Sequence, residues 1–153
     1  MKADNRLSSV LHILLHMAEI DEPVTSAALA TMMQTNPVVV RRILGGLREQ
    51  GLVSSEKGHG GGWRLAFDLN KVTMHDLYIA LGSPTIFAIG NRTESPNCLV
   101  EGAVNAVMNQ AIDDAKNTLL TRFREVTLAE LSGQMHQLLE GRKKCPQENH
   151  SRQ

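Results

Sequence analysis

The segment from Asn36 to Phe67 limits the fold most, because it joins a well-marked helix directly to two strand-like runs. Asparagine caps a first turn and proline suits the first helical position, so Asn36-Pro37 predicts a helix over 37–50. Gly51 follows, where a left-handed residue often ends a helix. Residues 52–55 and 63–67 read as strands separated by a glycine run. We therefore expect a helix followed by a β-hairpin with a long tip.

Two further helices are predicted ahead of this segment. Residues 5–19 carry apolar side chains three and four positions apart, and Asp21-Glu22-Pro23 ends that pattern. A short helix follows, with Thr25 or Ser26 as its cap. Helix, helix, tight turn, helix and hairpin form a helix-turn-helix with a wing. In such a unit the third helix projects and fits a major groove about 12 Å wide.

Helices also dominate beyond the hairpin. Residues 73–81 form a predicted helix in which Asp76 completes a capping box with Thr73. A loop rich in Gly, Ser, Pro, Asn and Thr covers 82–97. A long helix is predicted over 99–124, and a last helix over 127–139 ends at Gly141. The predicted fold class is mostly α with a small β-hairpin wing.

Composition and charge limit the classes of function. Sixteen basic and sixteen acidic residues cancel, but residues 35–65 hold five basic and two acidic ones, a local net charge of +3. Such a stretch is typical either of DNA binding or of a solvated face. No apolar run reaches the roughly 20 residues that span a bilayer. His12, His16 and Glu19 interrupt the N-terminal apolar stretch, so we interpret it as an amphipathic helix rather than a signal peptide. We expect a cytoplasmic protein.

The glycine run in EKGHGGGWRL, residues 56–65, raises the question of a nucleotide site. A phosphate-binding loop needs a helix after the glycines, whereas a strand follows here, and no GK[ST] is present. A wing tip is the better interpretation: glycines bring the backbone close to the DNA wall, and Lys57 and His59 supply charge and donors. A merely flexible turn is the alternative. Arg64 either reaches a phosphate or faces solvent.

The outer face of the third helix is the other candidate for contact with DNA. Val40, Ile43, Leu44 and Leu47 form its apolar stripe, and two valines and two arginines lie on or beside the opposite face. Valine methyls suit thymine methyls, and arginine suits phosphate or guanine. Packing of the valines on a neighbouring helix is the alternative. The predicted DNA-binding residues are Ser26, Pro37, Val38, Val39, Arg41, Arg42, Lys57, Gly58, His59, Gly60, Gly61 and Arg64.

The stretch NPVVVRRILGGLREQGLVSSEKGHGGGWRLA resembles the DNA-binding core of the Rrf-two family of bacterial winged-helix regulators, which includes the IscR, NsrR and CymR types. The similarity continues through VTMHDLYIALG, the SPNC loop, the long helix and TLAEL, nearly the whole chain. It implies a homodimer whose long helices cross and whose recognition helices read a pseudo-palindromic operator. It also implies base reading near Val39 and Arg42, and a wing contact at Lys57.

The predicted elements divide the chain into four parts. We expect a winged helix-turn-helix domain at 1–82, a linker or sensing loop at 83–98, dimerisation helices at 99–140 and a disordered tail at 141–153. An apolar ridge on the long helix agrees with a dimer, since one short domain could not bury it alone. The predicted dimer interface is Val100, Val104, Val107, Ala111, Ala115, Leu119 and Phe123.

The cysteines depart from the family pattern. Several members hold an iron–sulfur cluster through three cysteines in this loop and the first turns of the long helix, but here Cys98 stands alone and Cys145 lies in the tail. A cluster normally needs about four ligands, so we expect no cluster and no other cofactor. Helix N–H groups favour a thiolate at Cys98. A reactive thiol sensor, an unreactive junction cysteine and a small-molecule effector site remain open.

The leading hypothesis is a sequence-specific DNA-binding transcriptional regulator, a homodimeric repressor responsive to a thiol reagent or a small molecule. The alternative is a protein–protein interaction module built on a winged helix without DNA binding. An enzyme is not expected, because no nucleophile–base pair is present. His12 and His16 have an i, i+4 spacing that can bind zinc, but no third ligand is evident, so we expect no metal site.

Overall fold

The computed structural model describes residues 3–93 and 97–144. Within those ranges the chain forms six helices and one two-stranded antiparallel sheet, which confirms the predicted fold class. The elements are α1 (Arg6–Ala18), α2 (Ser26–Met32), α3 (Pro37–Glu49), β1 (Val53–Glu56), β2 (Gly62–Leu65), α4 (Met74–Ala80), α5 (Leu99–Glu125) and α6 (Leu128–Lys144).

Side-chain caps fix where three of the helices begin. Thr25 Oγ1 accepts a hydrogen bond from Ala28 N–H at 3.1 Å, so Thr25 rather than Ser26 caps α2. Asn36 Oδ1 accepts from the N–H of Val38 at 2.8 Å at the start of α3. Thr73 and Asp76 form the predicted capping box of α4. Each cap satisfies an N–H that a helix leaves without an internal partner.

One apolar core joins the N-terminal helices, the hairpin and the start of α6. Its fully buried side chains come from α1, α2, α3, α4 and α6: Val10, Ile13, Leu14, Leu29, Val40, Leu44, Leu77 and Leu128. Two backbone hydrogen bonds tie the start of α6 to this domain, Leu128 N–H to Val72 O and Met74 N–H to Val126 O, both 3.0 Å. Residues 126–128 therefore pack with the winged domain, although the predicted division assigns them to the dimerisation helices.

The end of α6 corrects one prediction. The last helix does not end at Gly141 but continues to Lys144, so residues 141–144 are helical rather than the start of a disordered tail. A glycine within a helix costs only about 1 kcal/mol, and basic residues near a helix C-terminus suit its dipole. Residues 145–153 of the predicted tail lie outside the described residues. Among the helices that are described, none is long and apolar enough to cross a membrane.

Candidate nucleic-acid interface

The outer face of α3 is exposed and carries the predicted contact residues. Val40, Leu44 and Leu47 are buried on its inner face, whereas Val38 and Val39 are 55% and 42% exposed. Arg41 and Arg42 are also exposed, and Pro37 is half-buried in the first turn. The valines therefore do not pack on a neighbouring helix of the described chain. They form an apolar strip beside two guanidinium groups.

The turn between α2 and α3 sets the direction of this face. Gln34 has a positive φ of 53°, which reverses the chain within a few residues. The N–H of Thr35 donates to Ala30 O at 2.9 Å and satisfies a carbonyl at the end of α2. Asn36 then caps α3 at once. The tight turn packs α3 against α2 along its buried side and leaves the valine strip facing outward.

The wing presents an exposed tip beyond a short paired base. β1 and β2 pair in a register that runs from Val53 opposite Leu65 to Glu56 opposite Gly62. Residues 57–60 of the tip are exposed. Gly58 and Gly60 have φ values of 97° and 76°, which side-chain-bearing residues rarely adopt. The tip thus offers Lys57, His59 and bare backbone to a partner.

Trp63 anchors the wing to the helix-turn-helix. Its indole Nε1–H donates to Ser26 Oγ at 3.0 Å, and its backbone exchanges two hydrogen bonds with Val24 at 3.0 and 2.8 Å. The Arg48 guanidinium lies 5.7 Å from the centre of the Trp63 ring, a cation–π contact. The hydroxyl of Ser26 is thus engaged and its side chain is buried, so the structure does not place it as an exposed DNA contact.

Arg64 is held by its own chain. Its Nη1 donates to Asp21 O at 2.6 Å. Its Nε lies 3.0 Å from Glu56 Oε1, an ion pair without hydrogen-bond geometry. The sequence left two alternatives for Arg64, a contact with a DNA phosphate or exposure to solvent. In the structure its guanidinium contacts Asp21 and Glu56. Arg64 instead ties the wing base to the segment before α2.

The basic residues of 35–65 therefore divide into two groups. Arg48 and Arg64 support the wing, as described above. Arg41, Arg42 and Lys57 are exposed and form no ion pair within the part of the chain that the structure describes. Three cations thus remain available on α3 and the wing tip, where the sequence predicts contact with phosphates and bases.

Sequence reasoning missed the contacts that hold the wing. Arg48 and Glu56 were counted only as local charge, and Asp21 only as part of the segment that ends the first helix. Trp63 carried the one usable signal, since a partly buried indole N–H needs an acceptor. The sequence does not say which acceptor, because Ser26 is 37 residues away.

Gly62 gives a direct test of the wing anchor. A Cβ added at this position would lie 2.7 Å from Val24 O and 2.8 Å from its carbonyl carbon. We expect Gly62→Ala to push the wing from Val24, to lower the free energy of unfolding by about 1–3 kcal/mol and to weaken DNA binding. Urea unfolding and fluorescence anisotropy measure the two effects. Gly133→Ala is the control, since its Cβ meets nothing within 4 Å and alanine favours a helix; an equal loss in both variants would contradict the account.

An apolar face on α5 remains exposed among the residues that the structure describes. Asn105 is the one residue of this 27-residue helix that is buried. Val100, Val104 and Val107 are 73%, 51% and 71% exposed, and Ala111 and Ala115 are exposed as well. The end of the predicted ridge turns back to its own domain. Leu119 and Phe123 are half-buried, and the ring of Phe123 packs edge-to-face on Tyr78 with centroids 6.4 Å apart.

Comparison with known proteins identifies the fold family. The family model named Rrf2, described as "Iron-dependent Transcriptional regulator", matches residues 3–134. The chain belongs to the Rrf2 family. This confirms the resemblance seen in the sequence and assigns the protein to the DNA-binding transcriptional regulators.

Individual relatives agree with this assignment. The chain is 26% identical over 136 residues to YffB of Lactococcus lactis, named as an HTH-type transcriptional regulator, with 86% of this chain and 87% of YffB covered. A solved structure of a Lactobacillus plantarum protein, described as a transcriptional regulator, matches with a TM-score of 0.72 and 23% identity over 91% of this chain and 97% of that one. CymR of B. subtilis, described as its global cysteine regulator, matches with a TM-score of 0.62 and 21% identity, covering 87% and 97%.

The Rrf2 description as iron-dependent raises the question of a cluster at Cys98. Cys98 is exposed immediately before α5, and within residues 3–93 and 97–144 it is the sole cysteine. No group of three or more His, Cys, Asp or Glu side chains placed to hold a metal occurs in those ranges. The donors present do not fit an iron–sulfur cluster, which needs about four ligands, mostly thiolates.

Cys98 is exposed at the N-terminus of α5. Hydrogen bonds from the N–H groups of Glu101, first, and of Val100 lower the pKa of its thiol. The thiol lines a cleft of about 570 Å³ between residues 90–92 and α5. Val100 and Val104 line the same cleft, so it adjoins the apolar face of α5. A chemical modification of Cys98 would therefore alter the surface where we expect the α5 helix of a second copy to pack.

Proposed function

We propose that the protein is a homodimeric repressor that binds a pseudo-palindromic DNA operator. The observation that carries the proposal is the outer face of α3, where exposed Val38 and Val39 lie beside Arg41 and Arg42. Valines on a helix surface are unfavourable in water but match the methyl groups of thymine in the major groove. A wing with an exposed, glycine-rich tip carries Lys57, which suits a phosphate.

The three exposed cations, Arg41, Arg42 and Lys57, have different roles in this proposal. Val39 and Arg42 read base edges, because a helix enters the groove with its N-terminal residues against the bases. Arg41 lies beside Arg42 and suits a phosphate. Lys57 contacts the backbone, with His59 and the amides of Gly58, Gly60 and Gly61 close to the DNA wall. The proposed mechanism of specificity is thus direct readout by one helix and positioning by the wing.

A second copy of the chain supplies the α3 helix that binds the second half-site of the operator. The exposed apolar face of α5 would pack against the same face of a second copy and remove Val100, Val104 and Val107 from water. A two-fold axis across α5 presents two α3 helices to one side of the duplex. The half-sites are then expected about one helical turn apart, roughly 34 Å, or a multiple of it.

The proposal is tested by anisotropy titration of the DNA upstream of the coding region and of a scrambled duplex of equal length. We expect the upstream DNA to bind more tightly, with two protomers per duplex. Equal, salt-sensitive binding to both would favour non-specific attraction. Absence of binding to either, and of retention on heparin, would favour the protein–protein module. Cytoplasmic localisation is part of the same proposal.

For the signal we propose the thiol of Cys98, with a small molecule in the same cleft as the alternative. Mild diamide or peroxide is expected to change operator affinity in the parent protein and in Cys145→Ser, but not in Cys98→Ser. The reason is the lowered pKa of the Cys98 thiol, which raises the fraction of thiolate at neutral pH. The measurement is operator affinity before and after treatment. An equal response in Cys98→Ser would exclude this thiol as the sensor.

A further inference from the structure

Two histidines on α1 form a pair that DNA binding does not use. His12 and His16 lie one turn apart on the helix, and their Nε2 atoms are 3.0 Å from each other. Their ring centroids are 4.7 Å apart, farther than the two nitrogens, so the rings converge at their Nε2 edges. The ring planes are inclined by 30°. Two imidazoles that bind one ion also bring one nitrogen of each ring this close together.

The separation also has the right size for one metal ion. Nitrogens held at about 2.0–2.1 Å from an ion and 3.0 Å from each other subtend roughly 90–95° there. That angle is close to the one between adjacent ligands of a square-planar or octahedral ion. The same contact also has the geometry of a hydrogen bond between the two rings, and this is the alternative that a metal titration tests.

The surroundings leave room for an ion and for additional ligands. His12 is exposed and His16 is half-buried. His12 lines a cleft of about 310 Å³ whose wall also includes Ser8, Ser9 and Thr35. The residues described include no third His, Cys, Asp or Glu placed to complete a metal site. Water and the hydroxyl oxygens that border this cleft would supply the remaining ligands of an ion bound there.

We propose that His12 and His16 bind a divalent transition-metal ion of the Ni²⁺, Cu²⁺ and Zn²⁺ class. The site differs from an iron–sulfur site because it contains imidazole and no thiolate. Its preference follows from its ligands: two nitrogen donors favour Cu²⁺ over Ni²⁺ and Zn²⁺, whereas Mg²⁺ and Ca²⁺ prefer oxygen. The proposal does not depend on the proposed operator binding.

The site lies beside the helix-turn-helix, since Val39 and Thr35 border the cleft that His12 lines. An ion held there would adjoin the element that directs α3.

The test is isothermal titration of the untagged full chain with Cu²⁺, Ni²⁺ and Zn²⁺ as separate chloride salts. Cys98→Ser/Cys145→Ser serves as the parent, so that thiolates do not contribute. We expect one ion per protomer, tightest for Cu²⁺, and no binding in a parallel titration with MgCl₂. His12→Gln and His16→Gln should each weaken binding roughly tenfold or more. His75→Gln, a histidine on α4, is the matched control and should bind as the parent does.

Two outcomes would overturn the proposal. One is parent-like binding in both His12→Gln and His16→Gln, with thermal midpoints in the absence of metal showing that both are folded. The other is a parent that shows no saturable binding of Cu²⁺ or Ni²⁺, which would leave the 3.0 Å contact as a hydrogen bond between the two rings. Histidine proton NMR is a second readout, in which Zn²⁺ should shift the signals of both rings together.

Discussion

Replacement of Val104 by glutamate is expected to convert the protein to monomers and to abolish measurable operator binding. Val104 lies between Val100 and Val107 on the exposed apolar face of α5. A carboxylate there would be buried without a partner against the second copy, at a cost of several kcal/mol. Each monomer would keep one α3 and would lose the gain from binding two half-sites at once, on the order of 10²–10⁴ in affinity.

Ala106→Glu is the matched control for this change. Ala106 is also exposed on α5, but two residues further along, which places it about 200° around the helix axis. The Ala106→Glu variant should remain dimeric and bind the operator as the parent does. Sedimentation velocity gives the oligomeric state and anisotropy gives the affinity. The proposed dimer face is wrong if Val104→Glu sediments as a dimer.

Arg42→Ala is expected to weaken operator binding by about 1–3 kcal/mol for each half-site and to relax the preference at the base it reads. Its side chain is exposed and makes no ion pair among the described residues, so the free energy of unfolding should not change. Lys57→Ala should weaken binding to all sequences alike. It should also reduce the slope of log affinity against log salt by about one per lost contact.

The comparison of these two variants separates base reading from phosphate contact. Arg124→Ala, an exposed arginine on α5, removes the same charge away from the proposed surface. It should leave both sequence preference and salt slope near the parent values. If Arg42→Ala changes only the salt slope, then Arg42 contacts a phosphate and the base contacts lie elsewhere. Parent-like binding by both Arg42→Ala and Lys57→Ala would remove this face from consideration.

The helix-turn-helix was predictable because its signals are local. Asn36 and Pro37 mark the start of α3, and the apolar period separates buried Val40 and Leu44 from exposed Val38. The wing followed from two strand-like runs around glycines. These features depend on neighbours within a few residues, where cap chemistry and helical period act directly.

The contacts that join distant segments were not predictable in the same way. Ser26 was assigned to DNA, yet its hydroxyl accepts from Trp63, and Arg64 donates to the backbone of Asp21 across 43 residues. On α5, a spacing of four residues repeated from Ala111 to Phe123 advances the face by about 40° per step. The predicted ridge therefore turns away from the proposed dimer face, and Phe123 packs on Tyr78 instead.

Selection from a random duplex library tests the central claim most directly. The parent protein is bound to the library at physiological salt, and the retained DNA is amplified and sequenced over several rounds. The account predicts an enriched inverted repeat with half-site centres about one helical turn apart, or a multiple of it. It also predicts that the repeat is not enriched by Val104→Glu. Retained DNA that matches the starting library in sequence would contradict the claim that this protein reads DNA specifically.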